Sequence, residues 1–100
     1  MLVAIVDFQT TADNRAAALA LLLDHAQAVR AMPGCRTFRP VADPVDDMLV
    51  TVIHEWAAES GFAGYLSSDS FAQLGAALRP MMVAPPSSRR YNAALIEDAA

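Results

Sequence analysis

An α+β sandwich of the ferredoxin-like type, β-α-β-β-α-β with a four-stranded antiparallel sheet, is what this sequence of 100 residues predicts, as one domain spanning 1–100. Three observations carry that reading. Short runs rich in Val, Ile and Leu, each bounded by turn residues, have strand character. One long Ala/Leu segment and one later region follow helical spacing. Their order is that of the split β-α-β sandwich, whose helices cover one sheet face. The other face then needs cover, and a second copy of the chain is the expected source.

Leu2 to Phe8 reads as the first strand, with Val3, Ile5 and Asp7 on one face and Leu2, Ala4, Val6 and Phe8 on the other. Thr11 or Asp13 can cap the helix that follows. Its apolar stripe is expected to be Ala16, Leu19, Leu22, Leu23, Ala26 and Val29, with Leu21 and Asp24 opposite and His25 exposed on the flank. Pro33-Gly34 stops the helix. Cys35 to Val41 is the second strand, and the Asp43-Pro44 and Asp46-Asp47 turn leads into a third, Met48 to Trp56. Ala57 to Leu66 is a short helix or helical turn, and Ser67 to Ser70 can cap another helix over Ser70 to Leu78. Met81 to Pro86 should be extended because of its prolines. Arg89 to Ile96 is the expected fourth strand, with a frayed tail after it.

Composition narrows the function. The longest apolar run, Ala16 to Leu23, is eight residues, far short of the roughly 20 that span a bilayer. The first residues lack a signal-peptide pattern, so no membrane association and a cytoplasmic location are the expectations. Seven Arg, no Lys and eleven scattered acidic residues give −4 and no basic stripe, which argues against nucleic acid. A single Cys, Cys35, rules out an internal disulfide and a multi-cysteine metal site.

The third strand holds the chain's only Trp, one of its two His and a Glu side by side. By alternation Val50, Val52, His54 and Trp56 share one face, while Leu49, Thr51, Ile53 and Glu55 share the other. An imidazole and an indole above an apolar floor suggest a pocket; the alternative is that Trp56 is core and His54 its satisfied neighbour.

Met32-Pro33-Gly34-Cys35 leading into a strand, the acid-rich Asp-Pro turn, the strand ending in Glu55-Trp56, then Phe62, Ser67 to Phe71 and Leu78-Arg79-Pro80 together resemble the antibiotic biosynthesis monooxygenase family. The resemblance implies a ferredoxin-like monomer whose sheets pair in a dimeric α+β barrel. It also implies oxygenation of aromatic, quinol-like or polyketide-like substrates with O₂, without metal or flavin, in a pocket between sheet and helices. Trp56 matches the family's strand-end Trp, which lies on the substrate cavity. Where many members have Glu two residues earlier, this chain has His54. Tyr65 and Ser70 stand where many members have His, while Val52 and Phe62 replace the substrate-binding Asn and Tyr of polyketide-oxidising members. The haem-degrading branch uses an Asn and a His where Asp7 and Gly75 occur, which argues against that branch.

Cofactor-free oxygenation needs a substrate that ionises and gives an electron to O₂, and a protein that supplies a base and a dry pocket. His54 is the expected base. Trp56 and Phe62 can stack on an aromatic ring and Tyr65 can donate to it, with Val52, Asp7 and Phe38 completing the expected substrate-binding set. Asp7 and His54 should lie roughly 13 Å apart at about 3.3 Å per residue, facing one cavity from two ends. Arg36, Arg39, Arg79, Arg89 and Arg90 could each meet an anion, and a surface position is the ordinary expectation for all five. A non-catalytic dimeric module that binds an apolar metabolite, or a non-oxygenase enzyme such as an isomerase, would suit the same fold.

Overall fold

Three segments in which buried positions recur with a period of about two form ladders, and a fourth joins them at an edge. The computed structural model describes residues 1–99. Along the chain lie β1 (Leu2–Gln9), α1 (Arg15–Arg30), β2 (Cys35–Ala42), β3 (Leu49–Trp56), α2 (Glu59–Leu66), α3 (Asp69–Leu78) and β4 (Ser87–Asn92). The sheet order is β2-β3-β1-β4 and every pairing is antiparallel. This is the ferredoxin-like topology, with its second helical region divided between α2 and α3.

Residues directly opposite each other across a ladder share a face. Ala4 faces His54 on one side and Arg90 on the other, so His54, Ala4 and Arg90 form one row across the sheet. Phe38 extends this row on β2. Burial along β3 alternates strictly, with Val50, Val52, His54 and Trp56 buried. That face lies beneath the helices and holds the core; the other carries Val3, Ile5, Thr51 and Ile53 only half-buried.

The α1 stripe differs in phase from the expected one. Ala18, Leu22, Ala26 and Val29 are buried, whereas Ala16 is exposed and Leu23 is 53% exposed. The stripe is rotated by roughly 50°, which brings Leu21 and His25 to half-buried positions. In an Ala/Leu-rich helix the small Ala side chain fits either inside or out, so periodicity alone leaves the phase loose. The entry to α1 also differs: a 3-10 turn, Ala12–Asn14, precedes it, and no side chain caps it. Instead Arg15 donates to the carbonyls of Asp43 and Asp46 at 2.9 and 2.8 Å. Arg30, in the last turn, donates through Nε and Nη2 to the Phe38 carbonyl. The two arginines tie the ends of α1 to the β2–β3 turn and to β2.

Gly34, at φ 80°, makes the left-handed turn after α1 that other residues rarely adopt. Its carbonyl accepts from Ala57 N–H at 2.8 Å, which fixes the start of α2 over this turn. A Cβ on Gly61 would meet the Pro33 carbonyl oxygen at 2.8 Å and Trp56 Cε3 at 3.2 Å, so only glycine allows α2 to sit this close. Ser68 caps α3 by accepting from Phe71 N–H, starting that helix one residue earlier than expected.

The fourth strand spans Ser87–Asn92 rather than residues 89–96. It pairs with β1, whose first residue, Leu2, meets Asn92. Beyond that pair only Met1 remains as a partner, and Ala93 N–H donates to its carbonyl at 2.7 Å. Leu95 and Ile96 are therefore outside the sheet, at 66% and 98% exposed. Among the described residues no helix is long and apolar enough to cross a membrane.

Candidate active site

Between the inner sheet face and the three helices lies a cavity of about 210 Å³. β1 contributes Val6 and Phe8, β2 Phe38 and β3 Val52 and His54, while α2 adds Phe62 and Tyr65. Phe71, Leu74 and Leu78 of α3 form the far wall, and Ser88 and Arg90 of β4 close the remaining side with Arg79. Met82, in the extended connection tied to β1 by the Val83 N–H to Gln9 carbonyl bond, covers one end.

His54 is 2% exposed and sits in an aromatic cage. Ring centroids of Phe62, Phe38 and Tyr65 are 5.5, 5.6 and 5.7 Å from its own. Trp56 Nε1–H donates to His54 Nδ1 at 2.9 Å. Indole nitrogen can only donate, so Nδ1 must accept, and a neutral imidazole then carries its proton on Nε2. No buried side-chain nitrogen or oxygen lacks a partner among the described residues. Nε2 has no protein partner there, so it is open to the cavity. Burial depresses the His54 pKa to about 4, with the Arg90 charge adding to the effect. Above about pH 4 the imidazole is therefore neutral, an Nε2–H donor rather than a ready base.

Tyr65 stacks on Trp56 with centroids 5.6 Å apart and an interplanar angle of 27°. Burial pushes its hydroxyl pKa up to about 12, helped by Cys35, so the group is a neutral donor. Cys35 is half-buried and its thiol is raised by burial, consistent with a strand residue.

Of the residues expected from sequence, His54, Val52, Phe62, Tyr65 and Phe38 meet around this cavity. Two do not. Trp56, 0% exposed, lies behind the wall and supports His54 and Tyr65 instead of lining the space. Asp7 lies on the opposite sheet face, because it pairs with Thr51 and not with a residue of the His54 row. There it accepts from Thr51 Oγ1 at 2.6 Å and from Arg89 at 3.0 Å. Sequence reasoning named Arg90 only as one of five surface arginines and missed Ser88, which the β4 register brings to the cavity. Among the described residues no group of three His, Cys, Asp or Glu side chains comes together as a metal site would need.

No curated protein matches the chain. Solved structures do. A candidate antibiotic biosynthesis monooxygenase from Deinococcus radiodurans superposes with a TM-score of 0.90 at 19% identity, covering 100% of this chain and 99% of its own. A second, from Nitrosomonas europaea, gives 0.88 at 15% identity over 93% and 98%. A protein from Mycobacterium tuberculosis gives 0.85 at 20% over 98% of both. At these identities the likeness concerns the fold. The sequence itself matches the antibiotic biosynthesis monooxygenase family over residues 1–77, all of β1 to α2 and nearly all of α3. The chain is thus a member of the antibiotic biosynthesis monooxygenase family.

Proposed function

We propose that this protein is a cofactor-independent monooxygenase that oxidises a small aromatic, quinol-like or polyketide-like substrate with O₂ in the cavity between sheet and helices. The observation that carries the reading is the cavity's make-up: a mostly apolar space walled by Phe38, Phe62 and Tyr65 with one imidazole N–H facing it. Aromatic walls suit a planar ring, and exclusion of water protects a substrate anion and its reaction with O₂. In the overall reaction a substrate CH₂ becomes C=O. One atom of O₂ enters the carbonyl, the other leaves as water with the two hydrogens, and the substrate supplies all four electrons.

His54 fits this chemistry as a donor. With Nδ1 engaged by Trp56 and a pKa near 4, the role that suits it is hydrogen bonding through Nε2–H to the substrate oxygen that carries negative charge. Proton abstraction, the role expected from sequence, does not suit a nitrogen that already holds its proton. Oxygen uptake over a panel of quinols and anthrone-like compounds tests the proposal. Uptake with carbonyl product is expected, reduced at least about tenfold in His54→Ala, as for loss of one donor in an oxyanion site. Uptake unchanged in that variant removes His54 from the reaction.

A second reading, a non-catalytic dimeric module that binds an apolar metabolite, is favoured by one observation: among the described residues no Asp or Glu lines the cavity to act as a base. Ligand binding without oxygen uptake across the panel would select it.

Under either reading the protein is a homodimer whose open sheet faces meet. Val3, Ile5 and Ile53 on that face are half-buried in the single chain, and Tyr91 is 48% exposed beside them. A two-chain mass in light scattering is expected, and a stable monomer at micromolar concentration would overturn it.

A further inference from the structure

We propose that the cavity takes its aromatic ligand as an oxyanion, held between the Nε2–H of His54 and the guanidinium of Arg90. The inference rests on the reading of the cavity as the substrate site and deepens it by naming the charge of what binds.

The whole chain carries −4, yet the charged side chains that line the cavity are both arginines, Arg79 and Arg90. The other polar side chains reaching it, His54, Tyr65 and Ser88, can all donate. An anion finds partners there; a cation finds none among the charged groups. Arg90 belongs to β4, outside the segment that matches the family.

Position brings Arg90 and His54 together. Both lie opposite Ala4, one on each side, about 10 Å apart between Cα atoms at about 4.8 Å per strand. Ala4 has no long side chain to fill the interval, and the Phe62 ring stands over it. The Phe62 centroid is 5.5 Å from the His54 ring and 5.0 Å from Arg90 Cζ. Lying on that ring orients the guanidinium, and Nε donates to Ser88 Oγ at 3.3 Å. The two Nη groups of Arg90 have no hydrogen-bond partner among the described residues.

Three other arginines are committed elsewhere, while Arg79 lines the same cavity. Arg89 is paired with Asp7, Arg15 with loop carbonyls and Arg30 with the Phe38 carbonyl. The Arg90 charge also opposes protonation of His54, which places its field inside the same cavity. That field favours an ionised oxygen for the same reason that it disfavours an imidazolium.

Isothermal titration calorimetry on the full chain tests this with two probes of matched shape, 4-nitrophenol above its ionisation and its neutral O-methyl ether, 4-nitroanisole. The phenolate is expected to bind at least about tenfold more tightly, in line with hydrogen bonds to a charged group. Arg90→Gln should abolish most of that preference and leave 4-nitroanisole affinity unchanged. Arg89→Gln, which removes the same charge from the other face of β4, should leave the preference intact. Equal affinity for the two probes, binding of neither, or an equal effect of both Arg variants overturns the proposal. Charge-selective binding without oxygen uptake sustains it while removing the monooxygenase reading, whereas turnover at the wild-type rate by Arg90→Gln overturns it alone.

Discussion

Acidification should destabilise this protein through one buried side chain. In the unfolded chain His54 titrates near 6.5, and in the fold near 4. Protonation would place a charge in the aromatic cage and turn Nδ1 into a donor facing the donor Nε1–H of Trp56. Because the folded pKa is depressed, the unfolded state binds more protons between these values, and stability falls as pH falls through that window. Above about pH 6.5 the contribution is fully present; near pH 4 it is gone. A shift of about 2.5 units corresponds to about 3 kcal/mol at its limit, and to about 2.5 kcal/mol by pH 4.5. Urea unfolding followed by the fluorescence of the buried Trp56, at fixed protein concentration, reads this as a midpoint shift of roughly 1–2 M. His54→Gln keeps the carboxylates and removes the imidazole, so the difference between the two pH profiles isolates His54. Parallel profiles for wild type and variant between pH 4.5 and 7.5 would refute the reasoning.

Further outcomes follow from the packing around the same residue. Trp56→Phe removes the Nε1–H donor to His54 Nδ1 and should cost about 1–3 kcal/mol; nitrogen NMR should then show His54 as a mixture of tautomers instead of the Nε2–H form alone. Gly61→Ala forces a methyl against the Pro33 carbonyl oxygen and Trp56, with an expected loss of about 1–3 kcal/mol in chemical denaturation. Gly64→Ala, in the same helix with nothing within 4 Å of the added Cβ, should instead stabilise by about 0.5–1 kcal/mol. Opposite signs for the two substitutions are the critical result, since helix propensity alone predicts the same sign for both.

Much of the fold was legible because local chemistry decides it. Val50, Val52, His54 and Trp56 alternate with half-buried residues, as a period of two requires. Pro33-Gly34 can only end α1, and Ser68 with two following residues before Phe71 is a cap on spacing alone. Where the residue type fits two environments the sequence is silent. Alanines in α1 pack as well inside as out, so the stripe could turn by half a residue step without a penalty visible in the sequence. Trp56 was read as cavity wall because a large aromatic beside a histidine suits a pocket; its burial depends on α2 docking over Gly34 and Gly61, a tertiary contact.

The places of Asp7, Ser88 and Arg90 turn on strand register, where a single residue moves a side chain to the other face. Asp7 faces Thr51; a slip of one would set it across from Val50 or Val52 and deliver a carboxylate into the cavity beside His54. The same parity separates the two adjacent arginines of β4. Arg90 faces Ala4 and reaches the cavity, while Arg89 faces Ile5 and pairs with Asp7 on the outer face. Carboxylate and its arginine are thus removed together, and Arg90, exposed at the cavity's β4 edge, is left with Arg79 and a neutral imidazole to line the space. The electrostatic character of the site, donating and positive in a chain that is negative overall, follows from these pairings more than from composition. Exchanging the two neighbours is therefore the sharpest probe of how the site works: Arg89→Gln and Arg90→Gln alter net charge identically, and only the second should change what the cavity binds.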